Sequence, residues 1–119
     1  MKNFRDLKVW KKAHLLTLDV YKLTASFPHE ERYGLTSQIR RSAVSVPSNI
    51  AEGCGRGSDA DFARFLQIAM GSASELEYQV LLAHDLRFLK EADYSPCTSQ
   101  VQEVKRMLSA FLKKLTADR

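Results

Sequence analysis

The amino-acid sequence predicts an all-α fold, an antiparallel up-down-up-down four-helix bundle that forms a single domain over residues 1–119. Apolar residues recur at spacings of three and four, which is typical of helices that bury one face. Only 5 glycines and 3 prolines interrupt the chain. Short links between long helices then force neighbouring helices to run in opposite directions. A chain of this length is also enough for one buried core.

The first helix is predicted from about Asp6 to Ala25. Pro28 ends it, because a proline disfavours helical geometry in the residue before it. A short helical turn is then predicted over residues 28–31, since proline and acids suit a helix start. The predicted core stripe of the first helix is Leu7, Trp10, Ala13, Thr17, Val20 and Thr24.

The second helix is predicted to begin near Leu35 and to end in the glycine-rich segment 53–57. Pro47 removes a hydrogen bond to the carbonyl of Ala43, which predicts a kink or a break and restart. Glycine at the end of this helix is expected to take the left-handed conformation. The predicted core stripe is Leu35, Ile39, Ala43, Val46 and Ile50.

The third helix is predicted to start after Ser58, a good N-cap, with Asp59 and Asp61 at the positive end of the helix dipole. It is expected to continue to Leu89, with a last turn over residues 91–95. Its predicted core stripe is Phe62, Phe65, Ala69, Ala73, Leu76, Val80 and Ala83.

The fourth helix is predicted to begin with Ser95 as N-cap and Pro96 at the first helical position. Its predicted core stripe is Val101, Val104, Leu108, Phe111 and Leu115. The first and third helices carry further apolar residues, which either lie at a contact between subunits or widen the core-facing stripe. These are Val9, Leu16, Leu23, Leu66, Met70, Leu81, Leu82 and Leu86.

The positive charge is confined to the first half of the chain. Residues 1–56 hold ten Lys/Arg and five Asp/Glu, whereas residues 57–119 hold eight and nine. This asymmetry indicates either a polyanionic partner or simply a solvated face. Cations of this kind can displace counterions from a nucleic-acid backbone. The candidate nucleic-acid-binding residues are Lys8, Lys11, Lys12, Arg40, Arg41 and Arg56.

Arg56 lies beside a predicted helix start, where anions such as phosphate bind well. The alternative is that Arg56 pairs with Glu52 or with an acid of a neighbouring subunit. Tyr21, Tyr33 and Trp10 could stack on bases, but their positions at core spacing or in a turn predict core residues instead.

The pattern of histidines and cysteines predicts no catalytic residue, metal or cofactor. The 3 histidines form no HExxH or Cys/His ligand spacing. Cys54 and Cys97 have no CxxC spacing and are expected to be free thiols in a reducing compartment. Cys54 could be reactive beside Arg56; an inert loop thiol is the simpler interpretation. The charged N-terminus and the lack of a long apolar run predict a cytoplasmic protein with no membrane partner.

Several motifs together resemble the four-helix-bundle family encoded in bacterial 23S ribosomal RNA intervening sequences. The resemblance covers residues 4–90 in order and spacing, and the fourth helix resembles the family only in being amphipathic. The matching segments are Phe4–Trp10, Phe27-Pro28, Tyr33–Leu35, Gln38–Ser42, Asn49–Gly53, Gly55-Arg56, Phe62, Phe65-Leu66, Ala69, Gly71-Ser72 and Glu75-Leu76.

The resemblance implies a homopentamer, and kinship with the accessory protein of diversity-generating retroelements, which binds nucleic acid and a reverse transcriptase. Carried onto this sequence, it points to Lys11, Arg40, Arg41 and Arg56. Two hypotheses follow. The first is a non-enzymatic homo-oligomer that binds RNA or DNA through the basic N-terminal half. The second is a protein–protein scaffold, for example for a reverse transcriptase, without direct nucleic-acid binding.

Overall fold

Four α-helices build the fold of residues 2–117, the part of the chain that this computed structural model describes. They are α1 (Lys8–Thr24), α2 (Leu35–Cys54), α3 (Asp59–Asp85) and α4 (Glu91–Thr116). Short 3-10 helices, Phe4–Asp6 and His29–Glu31, precede α1 and α2. The described residues contain no β-strand, which confirms the predicted all-α, four-helix fold.

Contacts between neighbouring helices fix their directions. Helix α2 packs on α1 and α3, and α4 packs on α3 and α1. Along α1 and α2, Thr24 contacts Arg40 whereas the earlier Thr17 contacts the later Ala43, so these two helices run antiparallel. The same reversal holds where α2 meets α3, through Ser42–Glu75 and Ser45–Ser72. Each helix therefore runs against its neighbours, in a rod with extents of 46 × 22 × 20 Å.

The core stripes predicted for α2 and α3 are confirmed, because every residue named in them is buried. In α4, Val101, Val104 and Leu108 are buried, whereas Phe111 and Leu115 pack against the core from its edge. The stripe of α1 needs correction. Val9 and Leu16 are buried in it, whereas Leu7 and Trp10 are only partly buried.

Helix α2 runs through Pro47 without a break, so of the two predicted alternatives the break and restart is wrong and the kink stays a prediction. The carbonyl of Ala43, which Pro47 cannot bond, lies 3.0 Å from the Thr17 hydroxyl of α1, whose single hydrogen it shares with the Ala13 carbonyl at 2.8 Å. The expectation of a left-handed glycine is also wrong, because no glycine within residues 2–117 has a positive φ. Gly55 caps α2 at φ −83°.

The boundary between α3 and α4 also differs from the prediction. Helix α3 ends at Asp85, short of Leu89, because Arg87 adopts the left-handed conformation at φ 67°. The Arg87 and Phe88 N–H groups then donate to carbonyls of the last turn, His84 and Ala83, at 2.9 Å each. This is a Schellman ending in which arginine stands in the usual place of glycine.

Helix α4 consequently starts earlier than predicted. Glu91 and Asp93 occupy its first turn, where carboxylates suit the helix dipole. Ser95 and Pro96 therefore lie inside the helix and do not begin it. The prediction at the start of α3 is confirmed: the Ser58 hydroxyl accepts a hydrogen bond from the Asp61 N–H at 3.1 Å.

Gly53 allows α2 to approach α3 closely. A Cβ at this position would lie 2.8 Å from Phe62 Cδ1 and 3.0 Å from Phe65 Cβ. Gly71 offers the contrast, because a Cβ there would meet nothing within 4 Å.

We expect Gly53→Ala to lower the free energy of unfolding by about 1–3 kcal/mol, because the added methyl group overpacks the contact with the two phenylalanines. Gly71→Ala is the control and should raise it by about 0.5–1 kcal/mol, since alanine is the better helix former. Urea unfolding followed by circular dichroism measures both. Equal effects of the two substitutions would contradict the close approach at Gly53.

Candidate nucleic-acid interface

The six candidate cations do not lie on one surface. Lys8 and Lys11 are exposed on α1. Lys12 instead reaches α4, where its Nζ lies 3.4 Å from Glu103 Oε1. Arg56 pairs with Glu52 at 3.1 Å, which is one of the alternatives considered for it.

Arg40 and Arg41 are brought together with other residues that suit nucleic acid. They line a groove of about 540 Å³ beside the C-terminal end of α1 and the N-terminal half of α2. We call it the basic–aromatic groove. Besides its three arginines and two tyrosines it is lined by small polar and aliphatic residues. The lining is Tyr21, Arg32, Tyr33, Thr36, Ser37, Arg40, Arg41, Val44 and Ser45.

Arg40 is held rigidly at the wall of the groove. Its Nε donates to Thr24 Oγ1 at 2.8 Å, and its Nη2 donates to the carbonyl oxygen of Tyr21 at 3.2 Å. The guanidinium also lies over the Tyr21 ring, 4.6 Å from the centroid. Because these contacts tie α2 to the end of α1, Arg40 has a structural role as well as a charge.

Arg41 is free by comparison. It is exposed, and within residues 2–117 no ion pair joins Arg32, Arg40 or Arg41 to an acid. The nearby Glu31 is occupied, because its Oε1 accepts the backbone N–H of Leu35 at 3.0 Å and so caps α2. The groove therefore presents three arginines that form no ion pair with an acid in the described part of the chain.

Tyr21 and Tyr33 are exposed, so their prediction as core residues is wrong. Tyr33 is 88% exposed and Tyr21 43%. The Arg32 guanidinium lies 5.8 Å from the centroid of the Tyr33 ring. An open aromatic ring beside an arginine is a surface on which a base can stack. Trp10 is closer to the prediction: it packs against the core and stacks on His14 at 5.0 Å.

Arg32 and Tyr33 were not among the predicted site residues, although the sequence held a signal for both. They follow the acidic turn His29–Glu31 and precede Gly34, so they stand in the short link before α2. Side chains in such a link usually face solvent.

Both cysteine thiols are buried. Cys54 ends α2 and is buried, and burial raises the pKa of its thiol, which disfavours the nucleophilic thiolate. Burial also raises the pKa of Cys97, to about 11. Across residues 2–117, no three His, Cys, Asp or Glu side chains group together in a way that could hold a metal ion.

The helices are too polar or too short for a membrane span. Within the described part of the chain, none combines the length and the apolar character needed to cross a bilayer.

A family model and a solved structure are similar to this chain. The sequence model of the family described as 23S rRNA-intervening sequence protein matches residues 5–110. A crystal structure of a protein with unknown function from the S23 ribosomal protein family of Bacteroides thetaiotaomicron is similar, with a TM-score of 0.80 and 26% sequence identity. The similarity covers 88% of this chain and 98% of that one. None of the curated proteins matches.

Because Arg40 is hydrogen-bonded and Arg41 is exposed, replacing each by alanine should change the stability by different amounts. Arg40→Ala should lower the free energy of unfolding by about 1–3 kcal/mol, because it removes charge-assisted hydrogen bonds to Thr24 and Tyr21. Arg41→Ala should change it by no more than about 0.5 kcal/mol, as is usual for an exposed side chain. Urea unfolding at neutral pH compares them. If Arg41→Ala costs as much as Arg40→Ala, Arg41 is not a free cation.

Proposed function

The chain belongs to the 23S rRNA-intervening sequence protein family, and from this premise we propose that it is a non-enzymatic, homo-oligomeric module that binds nucleic acid, RNA in particular, through its first two helices. The observation that carries the proposal is the basic–aromatic groove, where Arg41 forms no ion pair within residues 2–117 and Tyr33 is open to solvent. No catalytic step is part of the proposal.

The groove suits single-stranded nucleic acid. Sequence-tolerant binding of single strands combines cations for the phosphates with aromatic rings on which bases stack. In this groove Arg32 and Arg41 would contact phosphate, and Tyr33 would stack on a base. Arg40 would act as a preorganised cation, because its hydrogen bonds to α1 hold it before any ligand arrives.

The exposed face of α1 extends the positive surface away from the groove. Lys22 is exposed one residue beyond Tyr21, and Lys11 and Lys8 are exposed earlier on the same helix. Lys11 and Lys22 are separated by about 16 Å along the helix axis. Leu15 and Leu18 lie between Lys11 and Lys22 on this face of α1, and Lys22 lines a cavity with both leucines, so these lysines would border the subunit contact proposed below.

Homo-oligomerisation is proposed from exposed apolar residues on two different helices. Leu15 and Leu18 are exposed on α1, and Ile68, Tyr78 and Leu81 are exposed on α3. Surfaces of this kind mark sites of protein contact. A contact between the α1 face of one copy and the α3 face of another would be heterologous, the type from which rings are built. The pentamer implied by the resemblance is the ring we propose.

The same apolar residues favour the second candidate function, a scaffold that binds another protein, such as a reverse transcriptase, and contacts no nucleic acid. In either case we propose the cytoplasm as the compartment, because two buried free thiols suit a reducing environment.

We expect the chain to bind single-stranded RNA with an affinity that falls steeply as salt rises, because counterions are released from the phosphates. Tyr33→Ala should weaken binding by about 1–3 kcal/mol, because the base no longer has a ring on which to stack. Tyr33→Phe is the matched control and should bind as the parent does. Arg41→Ala should reduce the slope of log K against log salt by about 0.7 for each phosphate that the protein no longer neutralises. Fluorescence anisotropy over a salt series measures all of these.

A salt-independent interaction, or equal binding by Tyr33→Ala and Tyr33→Phe, would show that the basic–aromatic groove is not the nucleic-acid site. Absence of RNA and DNA binding at low salt would leave the scaffold as the proposed function.

We expect a solution mass near that of a pentamer of the 13.5 kDa chain. Leu18→Glu and Leu81→Glu should each reduce this mass, because a buried unpaired carboxylate is costly at a subunit contact. Val44→Glu is the control, since Val44 is an exposed apolar residue of α2 outside both faces. Light scattering measures the mass, and circular dichroism checks the fold. A parent protein that is monomeric at all concentrations would refute the assembly.

A further inference from the structure

A second groove lies on the other side of α2, between α2 and α3. It has a volume of about 310 Å³, and we call it the polar groove. It adjoins the basic–aromatic groove, because Arg41 and Ser45 line both. Its walls are formed by Gln38, Arg41, Ser42 and Ser45 from α2 and by Ser72, Glu75 and Gln79 from α3.

Gln79 is the unusual member of this set. Its side chain is buried, with only 5% of the residue exposed, and its Oε1 has no hydrogen-bond donor among the described residues. A buried amide without partners costs free energy, so such groups in native proteins are normally bonded. Gln79 lines the polar groove, and a ligand seated there could supply the missing partner.

The serines of the groove leave one hydrogen-bond donor unused. Ser45 and Ser72 share one hydrogen bond at 2.7 Å, and Asn49 Nδ2 already donates to Ser45 Oγ at 3.0 Å. Two hydroxyl groups carry two hydrogens, and their shared bond uses one. The second hydrogen has no acceptor in the part of the chain that the structure describes. It is available to a ligand.

Besides the amide of Gln38, the groove holds two charged groups of opposite sign. Glu75 Oε1 accepts a hydrogen bond from Ser42 Oγ at 3.2 Å, which leaves Oε2 as a free acceptor. The guanidinium of Arg41 is a free donor. A ligand that fits must therefore offer hydrogen-bond donors towards Glu75 and acceptors towards Arg41.

We infer that the polar groove is a recognition site for the guanine base, an inference that rests on the proposed nucleic-acid function. Guanine has two adjacent donors, N1–H and the 2-amino group, which a carboxylate accepts together. Its O6 and N7 are acceptors that arginine binds. Adenine, cytosine and uracil do not present two adjacent donors on the Watson–Crick edge. RNA-binding proteins commonly read unstacked bases on this edge.

The two grooves would bind different parts of the ligand. Tyr33 and Arg32 hold the strand in the basic–aromatic groove, and a guanine turned around α2 at Arg41 enters the polar groove. There the 2-amino group lies towards Glu75 and Gln79. The source of the guanine is either an RNA strand or a free guanine nucleotide, and the experiment separates them.

The test compares short labelled oligouridines that carry one central guanine, one inosine or no purine, by fluorescence anisotropy. We expect one guanine to tighten binding about tenfold. Inosine should lose most of this gain, since it lacks the 2-amino group. Glu75→Gln should abolish the preference for guanine, although removing an acid would strengthen non-specific attraction to RNA. Glu103→Gln is the matched control on α4 and should keep the preference.

A second variant separates ligand binding from folding. Gln79→Leu should keep or raise stability, because the buried amide oxygen that it removes has no hydrogen-bond donor in the described part of the chain. It should nevertheless lower the preference for guanine. Free GMP and AMP are titrated in parallel by calorimetry.

The outcomes are distinct. Salt-dependent binding of RNA without a preference for guanine overturns this inference and leaves the proposed function intact. Selective binding of GMP without RNA binding supports the guanine site as a nucleotide site and refutes the proposed function. Absence of both refutes both. If Glu75→Gln changes the solution mass and guanine has no effect, the groove is a subunit contact and the inference is wrong.

Discussion

The close approach of α2 to α3 is the constraint on which the rest of the molecule depends. Gly53 admits two phenylalanine side chains of α3 at one end of this contact, and serines face each other further along. These small residues of α2 let the two helices pack closely at both places. The outer surface of α2 is then left between two grooves, one shared with α1 and one with α3. Both grooves follow from this placement.

Arg40 and Arg41 are neighbours on α2, yet Arg40 is hydrogen-bonded within the fold and Arg41 is open to a ligand. Arg40 and Arg41 differ by one position, which rotates the side chain by about 100° around the helix axis. Arg40 thereby meets the end of α1 and is bonded there, whereas Arg41 reaches solvent at the edge shared by both grooves. A count of basic residues cannot make this distinction. A helical projection, combined with the contacts of α1, does separate the hydrogen-bonded arginine from the exposed one.

The core stripes of α2 and α3 could be predicted because their three-four spacing is strict. The end of α3 could not, since Arg87 takes a left-handed conformation that sequence patterns associate with glycine. In α1, leucine and valine occur on several faces, so spacing alone could not choose the buried set. The candidate site was predicted only at Arg40 and Arg41. Tyr21 was misassigned because the spacing of an aromatic residue on a helix does not show its exposure until the neighbouring helices are placed, whereas Tyr33 was misassigned although its place in the link before α2 favoured exposure.

The Thr17 hydroxyl of α1 donates to a backbone carbonyl of α2. The carbonyl that Pro47 leaves without a partner is bonded only when α1 is docked, so the middle of α2 is incomplete as an isolated segment. The two helices must therefore form as a hairpin, in one register, before α2 gains its full set of hydrogen bonds. A slipped pairing of α1 and α2 would leave the Ala43 carbonyl without a hydrogen-bond donor in the core. Pro47 therefore makes the correct register of the two helices more stable than a shifted one.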